Sequence, residues 1–232
     1  MIETVERERK KDAMDYIIDS FKQYNTNNPK CKRVNDYVNE IEEELKQSKL
    51  CYVRLEFETK QKFIAGWSPI YFITEVPLAW DLILDVPYIP SSTIKGIMRD
   101  AITEISNENI ANCLLGSASG IGHVIFFDAY PVSAQDGLLT YDIINPHYND
   151  TKKNEYEVQP VPIVFISVNK GVKFVTFIAF DKTANECVKD GNSMELILKS
   201  LLYSMKLGWG RRTGRGYGEL DLSLDRVSLR CP

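Results

Sequence analysis

The stretch that decides the fold is LGWGRRTGRGYG, residues 207–218. Just before it, segment 193–207 carries apolar residues at helical spacing, with Ser193 as the expected N-cap. Just after it, residues 217–224 alternate apolar and polar side chains, which predicts a half-buried strand. The stretch therefore leads from a helix into a strand. A Walker A loop or a dinucleotide-binding loop leads from a strand into a helix, so the order argues against both.

The same stretch has the composition of a loop that contacts phosphate groups. Its five glycines allow the backbone to approach a ligand closely: Gly208, Gly210, Gly214, Gly216 and Gly218. Interleaved with them are three arginines and two aromatic residues: Arg211, Arg212, Arg215, Trp209 and Tyr217. Guanidinium groups suit phosphate oxygens, and aromatic rings can stack on bases. The pattern favours RNA or DNA as the ligand, although a solvated turn with Trp209 in the core would explain the same residues.

The composition is that of a globular protein that can bury a substantial core, with 232 residues of which 44% are hydrophobic. Its net charge of −4 argues against a surface that is basic overall. Any nucleic-acid contact must then be a local patch, or one shared with basic partners. Lys206 and the three arginines form such a patch, and Lys95 and Arg99 are candidates to extend it.

Cysteine and histidine usage gives no support for a metal site. The chain has five cysteines without a C-x-x-C pair and only two histidines. We therefore expect no metal and no cofactor. An odd cysteine count without a signal peptide fits a reducing cytosol, and no apolar run reaches the ~18 residues of a membrane span. The expected location is cytoplasmic.

The pattern of elements predicts an N-terminal helical extension at 1–48 and a main domain at 49–232. The extension contains two one-sided apolar stripes separated by a breaker at 25–29, and we expect both helices to pack on the main domain. Long insertions without a clear periodic pattern are expected at about 59–90 and 130–160.

Apart from these insertions, the main domain shows the order strand, helix, strand, strand, helix, strand. Its predicted elements are a strand at 50–58, a helix capped by Ser91 or Ser92, a strand at 124–129, strands at 161–168 and 172–180 forming a hairpin through 169–171, a helix at 193–207 and a strand at 217–224. This βαββαβ order predicts an α+β, ferredoxin-like fold with an antiparallel sheet. In RNA-recognition domains of this kind, the open sheet face or the edge loops hold the RNA.

Four segments of the chain resemble motifs of the RAMP superfamily of CRISPR-associated proteins. They are PYIPSSTIKGIMR at 87–99, LG at 115–116 with GHVIFFDAYP at 122–131, the glycine-rich stretch at 207–218, and DIINPHY at 142–148 with PVPIVF at 160–165. The last pair resembles the sixth-subunit family of the Cmr, or type III-B, effector complex. The ordered motifs span roughly 50–224, and no motif falls in the N-terminal helices.

The resemblance implies a RAMP version of the ferredoxin-like fold and a non-catalytic, RNA-binding role in antiviral defence. The implied partners are the guide RNA (crRNA) toward its 3′ end, the target RNA and other Cmr subunits, with no membrane. In this family a different subunit cleaves the target, with an acid in the loop after its first strand. Asp81 and Asp85 lie in the corresponding loop here, and a surface or turn role is the more common one for such acids.

The candidate RNA-binding residues come from these motifs and from the loop: Ser91, Ser92, Lys95, Arg99, His147, Tyr148, Trp209, Arg211, Arg212, Arg215 and Tyr217. Lys95 and Arg99 are four residues apart, so they share one helix face near the helix start, where the dipole also favours phosphate. A solvated helix face is the alternative. The two serines serve equally as caps, His147 as a structural hydrogen-bonding group, and the aromatic residues as core.

Two other functions fit the sequence less well. The first is a RAMP endoribonuclease that processes guide RNA, with His147 or a tyrosine as the general base. The second is a ferredoxin-like ligand-binding domain with no RNA role. Few histidines and an acidic net charge favour the binding subunit over the nuclease.

Overall fold

The computed structural model of this chain describes residues 2–64, 76, 78–144, 162–189, 191–222 and 224–232, without the side chains of 2–7 and 224. Its α-helices are α1 Ile2–Ser20, α2 Pro29–Gln47, α3 Ser91–Ile105, α4 Glu108–Leu115 and α5 Ser193–Leu207. Its strands are β1 Cys51–Thr59, β2 Trp80–Asp81, β3 Val86–Pro87, β4 Val124–Phe126, β5 Tyr130–Ala134, β6 Leu139–Ile144, β7 Ile163–Val168, β8 Val172–Phe180, β9 Leu220–Asp221 and β10 Val227–Arg230. None of the helices in these ranges has the length and apolar character needed to cross a membrane.

The main sheet has the strand order of a ferredoxin-like domain. β1 lies between β8 on one side and the C-terminal strands β9 and β10 on the other, and all these pairs are antiparallel. β4 and β5 follow each other along the outer edge of β8. The spatial order is therefore last, first, third, second, as the predicted βαββαβ arrangement requires. The fold prediction is confirmed.

The second N-terminal helix, α2, covers one face of this sheet. α2 packs on β5 and β8, and its Glu42 carboxylate lies 3.5 Å from the guanidinium of Arg54 on β1. Phe57 points to the other face of β1, because successive side chains alternate, and there it contacts Trp209 beyond the end of α5. The prediction that the N-terminal helices pack on their own domain is confirmed. The face that open-sheet RNA-binding domains use is thus occupied by α2, which leaves the edge loops.

The predicted hairpin of strands 161–168 and 172–180 is wrong. β7 pairs with β6, from Leu139 opposite Val168 to Ile144 opposite Ile163, in a separate two-stranded sheet. The turn residues instead bind the end of β1, since Gly171 donates its N–H to the Thr59 carbonyl at 2.7 Å. The turn signal at 169–171 was correct, but it marks the point where the chain passes from one sheet to the other.

The predicted final strand, 217–224, is also shorter in the structure. β9 forms only two residue pairs with β1, and a short 3₁₀ turn leads on to β10, which the sequence analysis missed. The Ser193 cap is wrong as well, since the Asn192 side chain accepts the N–H of Glu195 and Ser193 is buried. Two disulfides, Cys51–Cys231 and Cys113–Cys187, are present, and Cys31 is buried and free.

Candidate nucleic-acid interface

The glycine-rich loop, residues 208–218, is held firmly at its base against the segment that follows β1. Trp209 and Gly218 close the loop through a backbone hydrogen bond of 2.9 Å. Arg211 donates its N–H to the Ile64 carbonyl, and Gly218 donates to the Lys62 carbonyl at 3.2 Å. The loop therefore lies beside the carboxyl end of β1 and leads into β9, as the order of elements predicted.

The glycines of the loop fall into two groups. Gly218 has a φ of 76°, and a Cβ there would lie 1.9 Å from the Trp209 carbonyl oxygen, so the closed base of the loop requires glycine. Gly210 is similarly restricted, with the Ile64 carbonyl at 2.6 Å. Gly214, by contrast, has an ordinary φ and no heavy atom within 4 Å of an added Cβ. Nothing inside the described molecule explains why position 214 lacks a side chain.

The three arginines of the loop are exposed. In the described part of the chain, none of the guanidinium groups of Arg211, Arg212 and Arg215 forms an ion pair or a hydrogen bond. The nearest acids along the chain are already engaged, since Glu219 and Asp221 both pair with Lys60 at 3.8 and 3.6 Å. Together with exposed Lys206, these side chains form a cationic surface that is open to a phosphate.

The backbone at the tip of the loop adds further donors. Arg212 has a φ of 62°, a left-handed conformation that is unusual for a residue with a Cβ. Arg215 and Gly216 donate their N–H groups back to Arg212 and Thr213. Within the described ranges, the N–H groups of Arg212, Thr213 and Gly214 have no acceptor. Three successive free amides of this kind can bind an anion.

Trp209 does not present its ring to a ligand, so the prediction that it stacks on a base is wrong. Its side chain is fully buried, its Nε1–H donates to Ser204 Oγ at 3.0 Å, and its ring lies edge-on to Phe57 at 5.2 Å. The indole anchors the start of the loop on the core because burial of so large a ring, with its N–H satisfied, stabilises the fold.

Tyr217 joins the end of the loop to the second sheet. Its hydroxyl donates to Asp142 Oδ2 at 2.6 Å, and the same carboxylate oxygen lies 3.3 Å from Lys62 Nζ. Burial, followed by the hydrogen bond to Asp142, raises the pKa of Tyr217 to about 12. Burial alone would raise the pKa of Asp142, but the bonds from Tyr217, from the Ile143 N–H and from Lys62 outweigh it and lower that pKa. Tyr217 is partly buried against the small cluster of Ile64, Val76 and Phe165, and base stacking by its ring stays a prediction.

The two serines at the start of α3 do not have the capping role that the sequence predicted. Neither serine caps the helix: position 90 is the N-cap, and Asp128 Oδ1 accepts the Ser91 N–H at 2.5 Å. Ser92 is exposed. Asp128 thus supplies the cap that the serines were expected to give.

Arg99 is a structural residue as well as a surface cation. Its two terminal nitrogens donate to Asn112 Oδ1 at 2.6 Å and to the Gly116 carbonyl at 2.5 Å, which fixes the end of α4. Lys95 is exposed and has no polar partner in the described ranges. Both line a cavity of about 650 Å³ that the loop 116–122 completes, and the glycine-rich loop is not among its walls. The free cation at the start of α3 is therefore Lys95, and an Arg99 contact with RNA would use only its remaining N–H groups.

Asp81 and Asp85, the two aspartates of the 59–90 insertion, are both engaged in contacts within the fold. Asp81 accepts the N–H groups of Ile83 and Leu84 and the hydroxyl of Tyr130. Asp85 accepts the Trp80 Nε1–H at 3.0 Å and pairs with Lys30 at 2.6 Å. His147 and Tyr148 lie outside the described residues, which resume after β6 only at residue 162.

Sequence reasoning missed several residues of this region. Lys62 and Asp142 were not expected to hold the loop, although Asp142 begins the DIINPHY motif. The cavity beside Lys95 depends on how α3, α4 and the loop 116–122 meet, and no local pattern reports that.

Comparison with known proteins agrees with the fold. The family model of the RAMP superfamily matches residues 68–221, and the chain belongs to this superfamily. It is 31% identical over 194 residues to CRISPR system CMR subunit Cmr6 of Saccharolobus solfataricus, covering 83% of this chain and 65% of that protein. It is 32% identical over 134 residues to Cmr6 of Pyrococcus furiosus, covering 51% of this chain and 36% of the relative.

A solved structure, described as the type III-B Cmr-beta bound to cognate target RNA, contains a similar chain. The TM-score is 0.74 at 29% identity, over 85% of this chain and 66% of that chain. This chain thus spans about two thirds of the length of these relatives at most. The predicted resemblance to the RAMP superfamily, and within it to the sixth Cmr subunit, is confirmed.

Proposed function

We propose that this chain is an RNA-binding, non-catalytic subunit of a type III-B CRISPR ribonucleoprotein effector. In this role it contacts the guide RNA toward its 3′ end and helps to present target RNA. The observation that carries the proposal is the tip of the glycine-rich loop, where three exposed guanidinium groups and three successive backbone amides have no partner among the described residues. The similarity to Cmr6 proteins, and to a chain of an assembly bound to target RNA, supports it.

The loop has the hydrogen-bond donors that a site for the RNA backbone needs. Arginine forks and free amides both donate to phosphate oxygens, which are identical at every nucleotide. Gly214 leaves space for a sugar or phosphate to approach the main chain, and that explains a glycine that the protein itself does not need. Because a phosphate oxygen is the same at every nucleotide, binding through these groups should be independent of sequence, as a guide-binding subunit requires.

The proposal that the subunit does not cleave RNA is supported by Asp81 and Asp85. Both carboxylates are committed to hydrogen bonds and an ion pair inside the fold, so neither is free to hold a metal ion beside a phosphate. The exposed arginines of the loop, together with these two engaged aspartates, favour RNA binding over RNA hydrolysis.

The test is recovery of RNA with the tagged full chain from its native host, followed by sequencing. We expect guide RNAs with many different spacers and with their 3′ portions protected. A matched variant with Arg211, Arg212 and Arg215 replaced by alanine should recover less RNA. The control variant replaces Lys32, Arg33 and Lys49, three exposed cations outside the loop, and should behave as wild type.

Two results would overturn the proposal. If wild type recovers no RNA above background, and binds none at low salt alone or with its partner subunits, the RNA role is wrong. If the isolated chain cleaves repeat RNA without metal, and His147→Ala abolishes this, the chain is an endoribonuclease.

A further inference from the structure

Three side chains with metal-binding atoms converge far from the glycine-rich loop in sequence. They are Cys113 of α4, His123 just before β4, and Cys187 at the end of the 3₁₀ turn 182–187. One ligand atom of each lies within 4.8 Å of the other two. The two cysteines form a disulfide in this structure, with Cα atoms 5.7 Å apart. Among the described residues no other trio of histidine, cysteine or acid side chains comes together in this way.

We propose that this cluster, once the disulfide is reduced, is a binding site for Zn²⁺. A thiol reductant supplies two electrons and two protons, which open the Cys113–Cys187 bond to two thiols while the reductant becomes a disulfide. Binding of the ion then releases the two thiol protons to solvent. Two thiolates and an imidazole form a ligand set that suits Zn²⁺, and water completes the fourth position because Cys113 is exposed.

The surroundings of His123 resemble those of a metal-binding histidine. Its Nδ1 lies 2.8 Å from Thr183 Oγ1 and 3.4 Å from a carboxylate oxygen of Asp181, which together fix the orientation of the ring. Asp181 is itself held by the Ala184 N–H at 3.1 Å. Metal-ligating histidines characteristically have a carboxylate behind the ring, so the supporting contacts are already in place.

The ion would act on the cavity wall rather than on the glycine-rich loop. Cys113 and His123 stand on either side of the loop 116–122, which lines the 650 Å³ cavity together with Lys95 and Arg99. The His123 N–H already donates to the Leu114 carbonyl at 2.8 Å. Either the disulfide or the ion therefore ties the base of this loop to the 3₁₀ turn.

The experiment is a Co²⁺ titration of the reduced, metal-free full chain, since Co²⁺ reports tetrahedral thiolate ligation by its absorption. We expect one equivalent to bind with thiolate-to-cobalt charge-transfer and tetrahedral d–d bands, and Zn²⁺ to displace it. Cys113→Ser with Cys187→Ser should abolish these bands. Cys51→Ser with Cys231→Ser removes the same number of thiols and should leave them unchanged.

Two further variants separate the histidine from its support. His123→Gln should change the spectrum, whereas Asp181→Asn should keep the spectrum and weaken affinity about 10- to 100-fold. Circular dichroism confirms that each variant is folded. The proposal is overturned if reduced wild type binds no Co²⁺, if the Cys51/Cys231 variant loses the bands, or if His123→Gln changes neither spectrum nor affinity. No part of this experiment uses RNA, so its result is independent of the test of the proposed function.

Discussion

Replacing Arg211, Arg212 and Arg215 together by alanine removes three exposed cations without breaking a described ion pair or hydrogen bond. The fold should therefore be retained, and thermal unfolding should occur close to the wild-type temperature. If each guanidinium contacts one phosphate, binding to single-stranded RNA releases fewer counterions in the variant. The slope of log K against log salt should fall by about 0.7 per lost contact, or about 2 in total.

The size of the effect follows from that slope. Between 50 and 200 mM salt, wild type should lose about 20-fold more affinity than the variant does, because a slope difference of about 2 acts over a fourfold range. Fluorescence anisotropy with a labelled RNA of mixed sequence, at four or five salt concentrations, measures both slopes. The variant of Lys32, Arg33 and Lys49 carries the same change in net charge. If its slope falls as much as that of the loop variant, or if the loop variant keeps the wild-type slope, the reasoning is refuted.

Three other predictions concern the glycines of the loop, the Tyr217–Asp142 hydrogen bond and Arg99 of α3. Gly214→Ala should unfold like wild type but bind RNA more weakly, whereas Gly218→Ala should prevent normal folding because its Cβ meets a carbonyl oxygen. Equal RNA affinity for wild type and Gly214→Ala would contradict the role given to Gly214. Tyr217→Phe should lower the free energy of unfolding by about 1–2 kcal/mol in urea denaturation. The difference in alkaline absorbance between wild type and variant should show a tyrosine with a pKa of about 12, and a titration at the ordinary value of 10 would contradict the prediction. Arg99→Ala should lower the unfolding temperature through the loss of two hydrogen bonds, and a fall in the RNA salt slope as large as that of a loop arginine would show that it binds phosphate after all.

The Tyr217–Asp142 pair also sets the sign of a pH dependence. The pKa of Tyr217 is raised, so its contribution to stability is complete below pH 10 and is lost as the pH rises toward 12. The pKa of Asp142 is lowered, so its contribution is complete above its ordinary value of 3.8 and is lost as the pH falls. Wild type should therefore lose more stability than Tyr217→Phe at both extremes, which denaturation at several pH values measures.

The order of the elements was predictable because it depends on local patterns. Apolar periodicity located the helices, and the alternation of β1 and the apolar run of β8 located the central strands. The partner of each strand was not predictable. The turn at 169–171 looks like a hairpin, but Thr59 accepts the Gly171 N–H, and β7 finds its partner in β6 across a long separation.

The candidate site was predictable in composition and only partly in geometry. Exposed arginines between glycines predicted the cationic tip, and the structure leaves those arginines unpaired in the described region. The alternation of glycine with arginine and aromatic residues could not show that Trp209 points inward, because the burial of its ring depends on Phe57 of a distant strand. Nor could helix spacing show that Arg99 meets Asn112 and Gly116, because the approach of α4 decides that contact.

The most direct test of the loop as an RNA-binding site is hydrogen–deuterium exchange of the free chain and of the same chain bound to RNA. The amides of Arg212, Thr213 and Gly214 have no acceptor in the described structure, so they should exchange fast in the free protein. We predict that RNA slows exchange in peptides covering 211–216 and leaves those of α2 unchanged. Protection confined to other surfaces, with 211–216 exchanging at the free rate, would contradict the account.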